Sequence, residues 1–498
     1  MDWDIVIGLE THVQLLTKSK IFSRGGTRFG QTANTEIDFV DLGLPGVLPV
    51  VNRKALESAI LFGVSVKGKI SEETVFSRKN YFYPDLPKGY QISQLDKPIV
   101  LGGTLEVILD SKKRFTVPLT RAHLEEDAGK SSHEGFGNLK SGIDYNRAGI
   151  ALLEIVSEPS MSSADEAVAY AKCLHNLVTW IGICDGNMQE GSFRMDANVS
   201  VKPKGAEALG TRCEIKNLNS FKFLEKAINY EAARQIELLE MGNQVIQQTR
   251  LFDSIDNRTK EMRNKENSDD YRYFPDPDIP SIIISKELID SVIQKMPMLP
   301  AQVRESLVTS FGISDESADI LISKKNYLDF FKEVLNKSCE IAGLEIGKDH
   351  DEGQIAKKAG VISKWMLGKL FAQLNKEELD ITLSKITSFE LAEILHRLES
   401  GSLSNQTATK LFDLVWQSED KNIDDLVKKY NLTEIKDDNL LEELITGILN
   451  NNEKMIFEYK SGKEKALNAL VGQVMKASKG RANAQSVKNK IIDAIAKI

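Results

Sequence analysis

The chain has 498 residues, with 64 Lys and Arg against 72 Asp and Glu, and its formal net charge is −8. This balance argues against a general polyanion binder but is compatible with a local basic patch. The length predicts two or three domains. No run approaches the roughly 18 apolar residues that span a bilayer, and the N-terminal MDWDIVIG lacks the basic and apolar regions of a signal peptide. We therefore expect a cytoplasmic protein with no membrane span.

Residues 1–292 are predicted to form an α+β domain with mostly antiparallel strands. Short β-like runs such as DIVIGLE and RFTVPLTRAHLE are separated by turns. Two helices interrupt them. The first is predicted after Ser163, because Glu166 completes a capping-box pattern, and Gly182 can end it. The second is predicted from about Ser220 to Met241.

The rest of the chain is predicted to be helical, because prolines nearly vanish after FPDPDIPSIIIS and apolar residues recur at helical spacing. We divide it into a helical domain, 293–402, and a small helical tail domain, 403–498. Residues 460–490 hold eight Lys and Arg against one Glu, a net charge of +7. A solvated helical face would explain this charge, but such a cluster in an acidic chain favours RNA binding.

The stretch GLETHVQLL places Glu10 and His12 two residues apart after a strand-like run. Residues two apart on a strand point to the same face. The two side chains therefore leave the strand together, either as a solvated strand end or as part of a site.

Two further runs put acids beside apolar strands. In RAHLEEDAGKS, His123, Glu125 and Asp127 alternate with Leu124 and Glu126, and a solvated turn is the simplest explanation of these three consecutive acids alone. In ALLEIVSEP, Glu154 lies inside an apolar strand, where a buried carboxylate needs a partner or a cation. If these acids converge with Glu10 and His12, they suit Mg²⁺ or Mn²⁺ better than zinc. The four cysteines form no CxxC pair, so we predict no zinc site and no disulfide framework.

Polar residues also alternate along EGSFRMDANVSVKP and TRCEIKNLNS. Arg194 and Asp196 share a face of the first run, and Lys216 lies on the polar face of the second. If the two runs form neighbouring strands, their polar faces suit a phosphorylated ligand with its metal. An ordinary exposed sheet face with ion pairs would show the same pattern. SRKNYFYPDLPKGYQISQ, which contains Lys79, is typical of a functional loop, and its aromatic and basic residues suit stacking on nucleotides.

Taken together, these motifs resemble the B subunit of the bacterial glutamyl-tRNA(Gln)/aspartyl-tRNA(Asn) amidotransferase. The resemblance extends over the whole chain in family order. It rests on VIGLETHVQL, DLGLPGVLPVVN, RKNYFYPDLPKGYQISQ, RAHLEEDAGKS, LLEIVSEP, EGSFRMDANVS, EIKNLNSF, SDDYRYFPDPDIP and LVGQVMKASKGRAN.

The resemblance implies a cradle-like catalytic domain, a helical domain and a tail that contacts tRNA. It also implies a heterotrimer, in which an amidase, the A subunit, releases ammonia from glutamine, and a small C subunit completes the complex. The B subunit would use ATP and Mg²⁺ to phosphorylate the side-chain carboxylate of misacylated Glu-tRNA(Gln), Asp-tRNA(Asn) or both, and ammonia would then displace the phosphate. This is the chemistry of a C–N bond-forming ligase with glutamine as amide donor (EC 6.3.5.-).

On that basis we assign hypothetical roles to the candidate residues. The metal would be bound by His12, Glu126 and Glu154, with Glu10 as a further candidate ligand and Glu125 nearby. Either Glu10 or Glu125 would gate or guide ammonia. The other roles fall into three sets: catalysis by Glu125, Glu126 and Lys79; contacts to ATP and the acyl phosphate by Arg194, Asp196 and Lys216; and contacts to tRNA by Lys476, Lys479 and Arg481.

A tRNA-binding scaffold without chemistry of its own is the competing interpretation. The clustered acids and Glu154 favour the enzyme, whereas the basic tail fits both.

Overall fold

A computed structural model describes residues 2–109, 113–132, 140–264, 271–348, 351–418, 422–435 and 438–497. Residues 268–270 of the SDDYRYFPDPDIP motif lie outside these ranges. The chain divides into two compact units, residues 1–300 and 301–498. The first contains a mostly antiparallel sheet, and the second is built from helices, which confirms the predicted α+β class. The domain boundaries at residues 292 and 402 stay predictions.

The first unit is built on a ten-stranded sheet in the order β15-β14-β13-β12-β1-β11-β8-β6-β2, with β7 on β8. Its neighbouring strands run antiparallel except β13 and β14, which are parallel. Three smaller sheets pair β9 with β10, β4 with β5 and β16, and β3 with β17. The strands are β1 (Trp3–Gln14), β2 (Lys69–Ile70), β3 (Glu73–Thr74), β4 (Ser77–Asn80), β5 (Tyr90–Ser93), β6 (Val100–Leu101), β7 (Thr104–Ile108), β8 (Arg114–Glu126), β9 (Lys130–Ser132), β10 (Gly142–Asp144), β11 (Ala151–Ser157), β12 (Phe193–Pro203), β13 (Cys213–Lys216), β14 (Gln248–Asp253), β15 (Arg258–Asn264), β16 (Phe274–Pro275) and β17 (Ile282–Ile283).

Strand β1 shows why the sheet has one apolar and one polar face. Ile7, Leu9 and Val13 are at most 1% exposed and belong to the core. Glu10 and His12 alternate with them and therefore point to the other face. The sequence-based expectation for these two side chains is confirmed.

The helices of the first unit are α1 (Arg53–Ser65), α2 (Ala164–Trp180), α3 (Phe221–Glu240) and α4 (Lys286–Ile293). Helix α2 packs on β1 and β7, and α3 packs on β12 and β15. Both helices lie where the sequence predicted them. The capping box of α2 differs in one half: Ser163 accepts from the Glu166 amide, but the Glu166 carboxylate accepts from the Ser162 amide instead of that of Ser163.

The second unit comprises α5 (Pro300–Thr309), α6 (Asp315–Leu321), α7 (Lys325–Ala342), α8 (Glu352–Trp365), α9 (Phe371–Lys376), α10 (Ser388–Glu399), α11 (Asn405–Gln417), α12 (Ile423–Lys429), α13 (Asp438–Asn450), α14 (Glu453–Lys460), α15 (Glu464–Ala477) and α16 (Ala484–Lys497). A π-helical turn, Met366–Leu370, joins α8 to α9, and a 3₁₀ turn, Ile381–Leu383, precedes α10. On α15, Leu467, Leu470 and Val474 enter a core shared with α13, α14 and α16. This agrees with the helical spacing of apolar residues on which the prediction of a helical second half rests. Across the described residues, no helix has the length and apolar character required to cross a membrane.

Candidate metal centre

Three strands bring one imidazole and two carboxylates together on the polar face of the sheet. His12 on β1 is registered opposite Glu154 on β11. Its Nε2 lies 3.3 Å from Glu154 Oε2 and 3.4 Å from Glu125 Oε1. One ligand atom from each residue lies within 4.8 Å of the others, and this is the one such group of three among the described residues.

A second histidine, to which the sequence analysis assigned no role, completes this row of side chains. His123 is registered opposite Glu154, on the side away from His12. Its Nε2 lies 3.5 Å from Glu154 Oε2 and 3.9 Å from Glu125 Oε2. Its Nδ1 is buried without a hydrogen-bond partner. Strand alternation along RAHLEEDAGKS predicts that His123 and Glu125 share a face, and their 3.9 Å contact agrees with it.

Glu126, expected as a metal ligand, does not join this group. Its carboxylate lies 2.6 Å from Lys88 Nζ and accepts a hydrogen bond of 2.8 Å from the Ile92 amide. The reason is strand geometry, because neighbouring residues of β8 point to opposite faces. The structure therefore brings Glu125, and not Glu126, beside His12 and Glu154.

Glu10 lies on the same face but one row away. It is registered opposite Asp196 on β12 and accepts a hydrogen bond of 2.8 Å from Asn198 Nδ2. It is therefore a neighbour of the three-residue group and not one of its members.

Burial and charge shift the pKa values of the group in opposite directions. Burial alone would lower the pKa of His12, but the hydrogen bond to Glu154 and the charges of Glu154 and Glu125 raise it to about 9. Burial and the Glu154 charge raise the pKa of Glu125 to about 7. Burial would also raise the pKa of Glu154, but His123, His12 and Lys79 hold it well below its usual range. Burial lowers the pKa of His123 to about 4, so this imidazole is neutral at physiological pH.

The donor set fits a divalent cation. Two carboxylate oxygens and one imidazole nitrogen suit Mg²⁺ or Mn²⁺, which prefer oxygen-rich sites. In the metal-free protein, the proton on His12 supplies the positive charge that a cation would supply. Cys173, Cys184, Cys213 and Cys339 are free thiols outside this group.

We predict that divalent metal binding at this centre releases protons and strengthens with pH. Below pH 9 His12 is protonated, and it must lose that proton to ligate a metal. Affinity for Mn²⁺ should therefore rise about tenfold per pH unit between pH 7 and 8.5. Below pH 7 the slope should steepen, because Glu125 must also lose a proton. Calorimetric titration in buffers of different ionisation enthalpy measures the proton release, and a pH-independent affinity would contradict the prediction.

Lys79 lies beside the centre on β4 and makes contacts with aromatic rings. Its ammonium is 5.0 Å from the ring centroid of Tyr271 and 5.8 Å from that of Tyr81. Burial alone would lower its pKa, but Tyr273, Glu125 and Glu154 raise it above its usual value. The ammonium therefore stays charged next to the acids.

The three residues expected to contact phosphate lie on the same sheet face. Arg194 on β12 is registered opposite His12. Lys216 Nζ lies 2.8 Å from Asp196 Oδ2 and 3.1 Å from Glu214 Oε1. The structure thus brings Arg194, Asp196 and Lys216 to the side of the centre formed by β12 and β13.

The residues expected to contact tRNA lie in the second unit, at the turn between α15 and α16. Lys476 and Lys479 are exposed, and Arg481 is half-buried. Lys479 adopts a left-handed conformation with φ of 53°. The turn is fixed at Gly480, whose carbonyl accepts a hydrogen bond from the Ser404 hydroxyl at the start of α11.

Comparison with known proteins defines the class first. Residues 5–290 match the family described as the GatB/GatE catalytic domain, and residues 352–495 match the family described as the GatB domain. The polar sheet face and its centre therefore lie in a catalytic domain.

Relatives along the whole chain define the family. The aspartyl/glutamyl-tRNA(Asn/Gln) amidotransferase B subunit of Herminiimonas arsenicoxydans is 51% identical over 489 residues, which cover 97% of both chains. The proteins of the same name from Bordetella avium and Burkholderia multivorans are each 50% identical, over 493 residues (98% of both chains) and 495 residues (97% of both chains). The chain belongs to the family of aspartyl/glutamyl-tRNA amidotransferase B subunits. This confirms the resemblance drawn from the motifs and the class of enzyme, a glutamine-dependent C–N ligase (EC 6.3.5.-).

Proposed function

We propose that this chain activates the side-chain carboxylate of misacylated Glu-tRNA(Gln), Asp-tRNA(Asn) or both with ATP, and then converts it to the amide. One carboxylate oxygen attacks the terminal phosphorus of ATP, ADP leaves, and an acyl phosphate forms. Ammonia then attacks the acyl carbon, a C–N bond replaces the C–O bond to phosphate, and the proton lost from nitrogen leaves with hydrogen phosphate. The products are Gln-tRNA(Gln) or Asn-tRNA(Asn).

The observation that carries this proposal is the grouping of His12, Glu125 and Glu154 on the same sheet face as Arg194 and Lys216. Phosphoryl transfer depends on positioning and on neutralising the charge of the phosphate oxygens. The three-residue group would hold Mg²⁺, which supplies that neutralisation when bound. Arg194, Lys216 and Lys79 add fixed positive charges around the same place.

Each remaining residue has a role that follows from its contacts. Asp196 and Glu214 both contact the Lys216 ammonium, so we assign them the role of fixing its position on the sheet face. Glu126 has Lys88 as its charged partner outside the metal group, so we give it a structural role and not that of a metal ligand. Glu10, held by Asn198, borders the centre on the side of Asp196.

The proposal also covers the partner subunits and the subcellular location of the complex. The ammonia would come from an amidase, the A subunit, and a small C subunit would complete a heterotrimer. The names of the relatives, which mention tRNA(Asn/Gln) and describe one subunit of a larger enzyme, support the existence of such partners. We place the complex in the cytoplasm, where aminoacyl-tRNA is used for translation.

The deciding experiment is ATP hydrolysis by the assembled complex with Mg²⁺, with and without Glu-tRNA(Gln), for wild type and Glu154→Gln. We expect tRNA to stimulate hydrolysis in wild type only, with tRNA affinity unchanged by the substitution. Equal hydrolysis in both proteins would leave the chain as a tRNA-binding scaffold. Parallel assays with Asp-tRNA(Asn) identify the substrate.

The basic turn between α15 and α16 yields a separate prediction about tRNA binding. Replacing both Lys476 and Lys479 by Ala should weaken tRNA affinity and lower the salt dependence of log Kd by about 1.4 to 1.8, because each phosphate contact contributes about 0.7 to 0.9. Replacing the exposed pair Lys428 and Lys429 by Ala is the matched control, since it removes the same charge elsewhere in the second unit. Filter-binding titrations at several salt concentrations measure the slope. An equal loss in both double variants would mean that net charge, and not this turn, determines affinity.

A further inference from the structure

Two arginines share one carboxylate at the edge of the metal centre. Arg147 Nε and Arg194 Nη2 each lie 3.0 Å from Asp127 Oδ2. The Asp127 side chain is 3% exposed, whereas those of Arg147 and Arg194 are 34% and 32% exposed. Since Arg194 is registered opposite His12, the arrangement lies directly beside the three-residue group. Two guanidinium groups against one carboxylate leave a net positive charge that can bind an anion.

One donor of Arg194 has no hydrogen-bond partner although a carboxylate lies nearby. Arg194 Nε is buried and makes no hydrogen bond, whereas Nη2 forms the ion pair with Asp127 Oδ2. The other Asp127 oxygen accepts from the Ala128 amide, and Arg147 Nε donates to the Ala128 carbonyl. Buried donors without acceptors are costly and rare, so Arg194 Nε calls for an acceptor that a ligand would bring.

The turn at Gly191 lets both arginine side chains reach the same place. Gly191 has φ of 81°, in the left-handed region that favours glycine. A Cβ atom there would lie 3.8 Å from Arg147 Nη1 and 3.9 Å from Arg194 Cδ. The two side chains therefore both lie against Gly191, and Arg194 is registered opposite His12 of the centre.

We propose that Arg147 and Arg194 form a pair that binds the phosphoryl group under transfer, with Asp127 as the residue that positions both. The inference rests on the proposed function and adds Arg147 and Asp127 to it. Guanidinium forks match the oxygens of a phosphate, and a phosphate is the kind of anion that binds arginines on one side and a divalent cation on the other. The ligand is the terminal phosphate of ATP before transfer and the phosphate of the acyl phosphate afterwards.

The test compares Arg147→Gln with wild type in the assembled complex, with inorganic phosphate as a product inhibitor of ATP hydrolysis. We expect the KM for ATP and the Ki for phosphate to rise about 10- to 100-fold, because charge-assisted hydrogen bonds are lost. Arg147→Lys should give an intermediate Ki, since it keeps the charge but not the planar fork. Arg28→Gln is the matched control, because Arg28 is 75% exposed and pairs with Glu36; it should leave both constants unchanged.

Asp127→Asn tests the positioning role. Asn keeps an acceptor for the Ala128 amide but removes the charge between the arginines. We expect kcat to fall about tenfold while the Ki for phosphate stays equal or decreases, since the arginines lose orientation but gain net positive charge. A Ki that rises together with KM would instead mean a general loss of structure and would contradict this role.

An Arg147→Gln variant with wild-type KM and Ki would overturn the proposal. A failure of the proposed function would give a different result from a failure of the arginine pair. If the wild-type complex shows no tRNA-stimulated hydrolysis, calorimetric titration with inorganic phosphate still compares wild type and Arg147→Gln. Weaker binding by the variant would uphold the arginine pair, and equal binding would remove it.

Discussion

We expect Glu125→Gln and Glu154→Gln to remove Mn²⁺ binding, whereas Glu126→Gln retains it. Glu125 and Glu154 each place a carboxylate oxygen within 3.4 Å of His12 Nε2. An amide oxygen carries no net charge, so losing either ligand should weaken Mn²⁺ binding at least about 100-fold, beyond the 10- to 100-fold typical of outer-shell changes. The free Mn²⁺ signal in electron paramagnetic resonance measures binding to the full-length chain.

Glu126→Gln is the matched control, because it is the same chemical change on the adjacent residue of the same strand. It has an effect of its own, since Lys88 and Glu126 are 5% and 3% exposed and the substitution leaves the ammonium buried without its carboxylate. We expect the stability to fall by about 3 kcal/mol, at the lower end of the range for breaking a buried pair. Mn²⁺ binding is therefore measured well below the unfolding temperature. Binding lost in Glu126→Gln and retained in Glu125→Gln would restore the ligand set first inferred from the sequence.

Strand alternation was sufficient to predict which side chains of the candidate site share a face of their strand. Alternation placed Glu10 with His12, and Arg194 with Asp196, on one face, and the structure has them so. It could not decide between Glu125 and Glu126. That choice depends on the register of β8 against β11, where Glu154 lies opposite His123, and a shift of one residue would exchange the two carboxylates.

Arg147 illustrates what sequence patterns cannot supply. It lies between β10 and β11, outside any regular strand or helix, so no periodicity assigns its direction. Arg147 and Asp127, which are in contact, lie 20 positions apart in the sequence. Asp127 and Arg194, which are also in contact, lie 67 positions apart. Only the assembled sheet brings these three side chains together.

The buried pair of Lys20 and Asp41 is a further feature, and the motif DLGLPGVLPVVN, which begins at Asp41, did not indicate the pairing. Their side chains are 0% and 2% exposed, and Lys20 Nζ lies 2.9 Å from Asp41 Oδ2. Burial lowers the pKa of Lys20 despite the neighbouring carboxylate. Asp41 also accepts from the Asp38 amide, so the pair orders the irregular segment after β1.

This pair lies under the segment that carries the proposed phosphate contacts. Gly149 has φ of 82°, and a Cβ atom there would come within 2.5 Å of Asp41 Oδ1. The Gly149 amide donates to the Asp127 carbonyl, and its own carbonyl accepts from the Ile21 amide. The backbone of Asp127 is thereby joined to the segment that the pair orders.

We therefore expect Lys20→Met to destabilise the protein by about 3 to 5 kcal/mol, because it leaves the Asp41 carboxylate buried without its cation. Urea unfolding of the full chain measures the change. Lys20→Met combined with Asp41→Asn is the matched control: it removes both charges and keeps an acceptor for the Asp38 amide. The double variant should be clearly more stable than Lys20→Met alone, since breaking a buried pair costs more than replacing it. Equal stability of the two variants would show that the lysine acts by packing and not by charge. Because the pair supports the backbone of Asp127, we expect Lys20→Met to weaken phosphate binding as well. The double variant should restore both the stability and the phosphate binding.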